Sequence, residues 1–208
     1  MRRLLPFVCV VVVVDTMLYT ALTPLLPHFE RIYHLSKGSV GALVAAYGIG
    51  VLAGAIPGGV VAARRGARGA VLAGLVLVTV ASVVVAVADS FGLLFAGRLA
   101  QGFGSALTWA GGLAWVALAT PRGQRGKTMG TVIGAAVFGA VLGPVVGAAA
   151  SAVGVRAAFL TVAGVEALLI LVALGLEPSP REEQRLRVVF GLRMSYIPRS
   201  EFGESRTL

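Results

Sequence analysis

The 208-residue chain is 57% hydrophobic and 13% charged, and its formal net charge is +9. Soluble domains carry about 25% charged residues, so this composition favours a lipid bilayer as the solvent. The positive charge does not indicate a nucleic-acid partner, because the basic residues form no single arm or face and lie between apolar runs. The single cysteine, Cys9, excludes an intrachain disulfide.

Six apolar runs are long enough to cross a bilayer, which requires about 20 helical residues. They do not alternate apolar and polar residues as the strands of a membrane barrel do, so we predict an all-α membrane protein. The first run is too long for the core of a signal peptide, and we interpret it as a retained span. The predicted spans are Leu4–Leu26, Val40–Ala62, Ala70–Ala88, Phe91–Ala119, Met129–Val153 and Ala157–Leu176.

The distribution of basic residues predicts the orientation of the spans. One side of the membrane receives Arg2, Arg3, Arg64, Arg65, Arg68, Arg122, Arg125 and Lys127, and the other receives Arg31, Lys37 and Arg156. The positive-inside rule therefore places both termini in the cytoplasm and the protein in the cell membrane. The six-helix domain, 1–176, is followed by a polar segment, 177–208, which we interpret as a cytoplasmic tail or a truncated linker.

The link between spans 2 and 3 is rich in glycine and arginine. It resembles the signature loop of the major facilitator superfamily, although Ala63 replaces the acidic residue of that pattern. Its glycines permit a tight turn, and its arginines are suited to helix C-termini, acidic partners or lipid phosphate. The resemblance implies a gating loop. Its members are Gly59, Arg64, Arg65, Gly66 and Arg68.

Span 4 is similar to a second element of the same family, in which an arginine is followed four residues later by a glycine. Here the pair is Arg98 and Gly102, with Gln101 between them. Together with Ser105 these residues share one helix face. An arginine inside a span is costly unless it faces protein or water, so we expect this face to point into the bundle.

Span 5 resembles the glycine-proline element of proton-coupled antiporters in the superfamily, with Ala148 in place of the last glycine. Gly139, Gly143 and Gly147 recur every fourth residue, which predicts a groove for close helix packing. Pro144 lacks a backbone donor and can kink the helix. The resemblance implies that this packing governs the motion of an antiporter.

Span 1 is similar to the first-span element of drug:proton antiporters, because the mid-span acid Asp15 is followed by a stretch that ends in prolines. Asp15 is either a proton-binding or cation-binding carboxyl or a structural acid bonded to a neighbouring helix. Tyr19 either lines the same cavity or packs in the bundle. Arg98 either tunes a nearby acid or caps buried carbonyl groups. The candidate coupling and cavity residues are Asp15, Tyr19, Arg98, Gln101 and Glu166.

Glu166 lies midway along span 6, and none of these motifs accounts for it. A second protonatable site, a structural acid and an accident of sequence all remain open. We interpret Trp109 and Trp115 as packing or interface aromatics. The sequence contains no phosphate loop, nucleophile elbow or zinc pattern, so we expect no enzyme activity, no metal and no cofactor.

Together these elements resemble the N-terminal half of a twelve-span facilitator. That resemblance implies a half-size or truncated transporter that exports small, cationic or amphipathic compounds in exchange for protons. Such transporters hold substrate between two six-helix halves, so a second half or a second copy of the chain is expected as a partner. The alternative is a non-transporting fragment or a membrane interaction protein that lacks the second half.

Overall fold

A computed structural model describes residues 3–176, and six helical stretches in this range are long and apolar enough to span a membrane. The all-α, six-span fold predicted from the sequence is confirmed. The predicted tail at 177–208 lies outside the described residues. The helices are α1 (Leu4–Thr20), α2 (Leu26–Tyr33), α3 (Lys37–Arg65), α4 (Ala67–Val87), α5 (Phe91–Ala119), α6 (Arg125–Val153) and α7 (Val155–Gly175).

The first span is longer than the sequence predicted. A short 3-10 turn, Thr23–Leu25, joins α1 to α2, and the helical path continues to Tyr33. Pro24 and Pro27 do not interrupt the helical path. Each lies in the first turn of its helical segment, where a backbone N–H has no helical partner. His28, which lies beyond the predicted end of the first span at Leu26, is therefore part of α2.

A single glycine connects the second span to the third in each half of the bundle. Gly66 alone separates α3 from α4, and Gly154 alone separates α6 from α7. Both have positive φ angles, +86° and +108°, a conformation that side-chain-bearing residues rarely adopt. The two glycines occupy equivalent places in the first three and the last three spans.

Helix packing follows the same division into three plus three. α5 packs against α3, α1 packs against α6, and α4 packs against α7, so exchanging the two halves reproduces these pairs. One pair breaks the pattern. α4 and α5 pack closely, whereas their counterparts α7 and α1 border a cleft of about 300 Å³ with an almost wholly apolar lining.

Close packing of α1 and α6 depends on the predicted glycine groove. A Cβ atom at Gly139, Gly143 or Gly147 would collide with atoms of α1 or of the turn that follows it. Pro144 does not end α6, which is continuous. The carbonyl oxygen of Ala140, which Pro144 cannot satisfy, instead lies 3.1 Å from the hydroxyl oxygen of Thr20 on α1.

Arg68 joins the link between α3 and α4 to the end of the last span. Its Nε atom donates to the carbonyl oxygen of Ala173 at 3.0 Å, and its Nη2 atom donates to that of Leu174 at 2.6 Å. These carbonyl groups belong to the last turn of α7, where the usual helical donors run out, and that of Ala173 also accepts a 3.3 Å bond from the N–H of Leu176. Of the three kinds of partner expected for the loop arginines, Arg68 contacts a helix C-terminus.

We expect Arg68→Gln to lower the melting temperature of the protein in detergent by roughly 3–6 °C. The reason is the loss of a charged cap worth about 1.5 kcal/mol, at roughly 2–4 °C for each kcal/mol. Arg65→Gln is the matched control, because Arg65 is exposed at the end of α3. Equal shifts for the two variants would contradict the capping role.

Candidate functional site

Asp15 lies in the middle of α1 and is 7% exposed. Its Oδ2 atom accepts hydrogen bonds from Ser105 Oγ and Trp109 Nε1, both at 2.7 Å. Its Oδ1 atom accepts a longer bond, 3.3 Å, from the hydroxyl of Tyr47. The donors come from α5 and α3, so three spans converge on this carboxyl group.

Arg98 is fully buried on α5 beside this cluster. Its guanidinium carbon lies 4.9 Å from the centroid of the Tyr47 ring, a cation–π arrangement. Its Nη1 atom donates to Gln101 Oε1 at 2.9 Å and reaches the carbonyl oxygen of Leu18 at 3.5 Å. Within the described residues its Nε and Nη2 atoms have no hydrogen-bond partner. Arg98 is therefore linked to Asp15 through Tyr47.

Tyr19 extends the cluster towards open space. Its ring centroid is 5.0 Å from that of Tyr47, and the side chain is 46% exposed. The tyrosine thus packs against the bundle on one side and is exposed on the other, and its place in a cavity stays a prediction.

Glu166 enters the same interior from α7. It is 2% exposed, and the hydroxyl groups of Ser82 and Thr79 on α4 lie near its carboxyl group. Its Oε2 atom has no hydrogen-bond partner among the described residues. Ser82 Oγ accepts a bond of 3.0 Å from Gln101 Nε2. The structure therefore brings four of the five candidate residues into one buried polar cluster, with Tyr19 at its edge.

The gating-loop residues and the glycine groove lie apart from this cluster. Arg64 and Arg65 end α3, Gly66 forms the link, and Arg68 starts α4. Gly59 faces open space in the last turns of α3. The glycine groove of α6 contacts one face of α1, and Asp15 lies on a different face of that helix.

The sequence missed Tyr47, Ser82 and the polar role of Trp109, which packs against the core as predicted. The indole N–H of Trp109 is a donor to Asp15. A signal for it was available, because Trp109 follows Ser105 by four residues and so continues the face that bears Arg98. Tyr47 and Ser82 stand in otherwise apolar spans and carry no local pattern.

The cluster is suited to binding a proton or a cation. A carboxyl group buried among hydrogen-bond donors, with a fixed cation behind an aromatic ring, changes its interactions strongly when it gains or loses charge.

A family model described as "Major Facilitator Superfamily" matches residues 8–200 of the chain. The chain belongs to the major facilitator superfamily. It is thus a multi-pass membrane protein of a family of transporters, which are not enzymes.

Curated facilitator relatives are similar over part of their length. The "MFS-type transporter ppzB" of Metarhizium majus (strain ARSEF 297) is 32% identical over 123 residues, which are 57% of this chain and 27% of that protein. The "Probable vesicular acetylcholine transporter-B" of Danio rerio is 29% identical over 141 residues, which are 64% of this chain and 29% of that protein. The chain thus matches about a quarter to a third of each relative.

Solved facilitator structures share the fold. An inward-facing, unoccupied bacterial homolog of the human lysosomal transporter Spinster superposes with a TM-score of 0.77 at 18% identity, covering 86% of this chain and 43% of that one. A D-xylose-proton symporter superposes with a TM-score of 0.71 at 18% identity, covering 89% and 52%. The six-span bundle corresponds to about half of each transporter.

Proposed function

We propose that this chain forms the first six-helix half of a proton-coupled antiporter that exports small, cationic or amphipathic compounds across the cell membrane. The observation that carries this proposal is the Asp15 cluster, a buried mid-span carboxyl held by donors from α3 and α5 with Arg98 behind Tyr47. Intramembrane acids in such settings mark ion and proton pathways. The order of family elements along spans 1, 4 and 5 also supports antiport.

Asp15 is the exchange site in this proposal. As a carboxylate it accepts the bonds from Ser105 and Trp109 and attracts a cation; once protonated it loses that attraction. A cationic compound and a proton therefore compete for the same group, which couples their movements in opposite directions. Tyr19, exposed next to Tyr47, presents an aromatic face on which an organic cation would rest. Arg98 remains positively charged and stabilises the Asp15 carboxylate when neither a proton nor a cationic compound is bound.

The basic residues of the inner links support an orientation with both termini in the cytoplasm. In that orientation the gating loop, Gly59 to Arg68, lies on the cytoplasmic side, where its arginines meet anionic lipid. Ala63 removes the acidic partner expected in this loop, while Arg68 holds the end of α7. The loop would therefore act through its arginines alone.

A second six-helix half, or a second copy of the chain, would supply the other wall of the transport path. Large apolar residues that are more than half exposed on α3 and α6 support such a partner or contact with lipid. They are Leu52, Ile56, Val137, Phe138, Val141, Val145 and Val153. The name of the zebrafish relative, a transporter of acetylcholine, is in keeping with a cationic substrate.

Proteoliposomes that contain the chain provide the test, with ethidium as a fluorescent, lipophilic cation. We expect an imposed pH gradient to drive ethidium flux, and we expect nigericin, which collapses the gradient, to stop it. Crosslinking of the same vesicles reports whether dimers carry the flux. Absence of gradient-driven flux at every protein density, with and without a co-expressed second half, would instead support a membrane protein that does not transport.

A further inference from the structure

Glu166 is a buried acid that the exchange at Asp15 does not use. It faces α4, where the nearby groups are the hydroxyls of Thr79 and Ser82. The ionisable group that acts on it from α1 is Asp15. A carboxyl group with an unpartnered oxygen and 2% exposure is costly to keep charged inside a bundle. Burial of this kind favours a protonated, uncharged carboxyl group at Glu166.

Two hydrogen bonds lead from the arginine that serves Asp15 to Ser82, whose hydroxyl lies near Glu166. Arg98 Nη1 donates to Gln101 Oε1, and Gln101 Nε2 donates to Ser82 Oγ. Ser82 has thus accepted one bond and retains its own hydroxyl hydrogen, which can be donated to the nearby carboxyl of Glu166. Both observed bonds, and the donation that Ser82 can add, run from the cation towards the acid, so each polarises the next.

The other side of Arg98 leads to Asp15. The guanidinium lies over the ring of Tyr47, whose hydroxyl donates to Asp15. The bundle therefore buries one cation and two carboxyl groups: Asp15 is reached from Arg98 through Tyr47, and Glu166 lies beyond Gln101 and Ser82. If both acids were ionised, the cluster would carry a net negative charge in an apolar interior, which is strongly unfavourable. One proton restores neutrality.

The hydrogen-bond donors indicate where that proton resides. Asp15 accepts bonds from Ser105, Trp109 and Tyr47, which suit a carboxylate, whereas Glu166 Oε2 accepts none. We propose that Glu166 is a second proton-binding site, and that Glu166 and Asp15 share one exchangeable proton around Arg98, held by Glu166 in this conformation. This inference builds on the proposed role of Asp15, but its test requires no transport.

Infrared difference spectroscopy of the protein in lipid nanodiscs, recorded against pH, tests the proposal. We expect a protonated-carboxyl band that Glu166→Gln removes. We also expect Asp15→Asn to move the disappearance of that band to lower pH, by about one pH unit or more, because Glu166 then loses its negative neighbour. Glu30→Gln, a change at an exposed residue of α2, should leave both features unaltered.

Two results would overturn the proposal. A band that survives Glu166→Gln would mean that Glu166 holds no proton, and a band whose pH dependence ignores Asp15→Asn would mean that the acids do not share one. Ser82→Ala provides a check that leaves Glu166 in place. It should shift the frequency of the band by removing the hydroxyl bond, and an unshifted band also contradicts the proposal. A negative ethidium assay would contradict the antiporter proposal, but it would not change the spectra expected for Glu166.

Discussion

Replacing Asp15 by asparagine is expected to reduce gradient-driven ethidium flux to about a hundredth of the wild-type rate or less. Asparagine keeps the shape of the side chain and still offers an oxygen to Ser105 and Trp109. It binds no proton and carries no charge, so it can neither attract a cation nor release it on protonation. A hundredfold loss corresponds to about 3 kcal/mol, the scale expected when one partner of a buried charged cluster is removed.

Asp89→Asn is the matched control for this experiment, because Asp89 is exposed in the link before α5. It should transport ethidium at the wild-type rate. Both variants should elute as single species in size-exclusion chromatography, which separates loss of exchange from loss of folding. Flux through Asp15→Asn that still follows the pH gradient would refute the assignment of Asp15 as the coupling carboxyl.

Gly102→Ala is expected to produce the largest loss of stability from a single added methyl group. A Cβ atom at this position would overlap the backbone carbonyl oxygen of Tyr47, where α5 and α3 are in closest contact. Backbone cannot move aside as a side chain can, so α3 must shift outwards. Overpacking of this kind costs roughly 1–3 kcal/mol, and at about 2–4 °C for each kcal/mol we expect the melting temperature to fall by roughly 2–12 °C.

The same shift should displace Tyr47, whose ring and hydroxyl join Arg98 to Asp15. We therefore expect ethidium flux to fall along with stability in Gly102→Ala. Gly48→Ala is the control, since a Cβ atom on that face of α3 meets nothing within 4 Å. It should be neutral or slightly stabilising, because alanine favours helix more than glycine does. Equal destabilisation by both changes would mean that helix contact at Gly102 is not the cause.

The sequence predicted the existence and order of the six spans, because hydropathy alone separates them. It misplaced several ends. α3 begins at Lys37 and ends at Arg65, three residues beyond the prediction at each end. At 1.5 Å per residue its 29 residues reach about 43 Å, well past the hydrocarbon core, so its charged ends lie in the headgroup region, where hydropathy gives no signal.

The site was predictable only where one helix carries it. Arg98, Gln101 and Ser105 share a face of α5 and could be grouped from their spacing. Tyr47 and Ser82 come from α3 and α4, and their arrival at Asp15 and Gln101 depends on how neighbouring helices are rotated about their axes. Periodicity within one apolar helix leaves that rotation open, because almost every face of such a span is apolar.

The one-residue links at Gly66 and Gly154 limit how far neighbouring spans can slide past each other. One residue of extended chain spans at most about 3.6 Å, which is less than the 5.4 Å of a helical turn. Neither α4 along α3 nor α7 along α6 can therefore advance by a full turn, so each pair keeps its relative height in the membrane. The longer links at residues 34–36, 88–90 and 120–124 do not impose this limit on the other neighbouring spans.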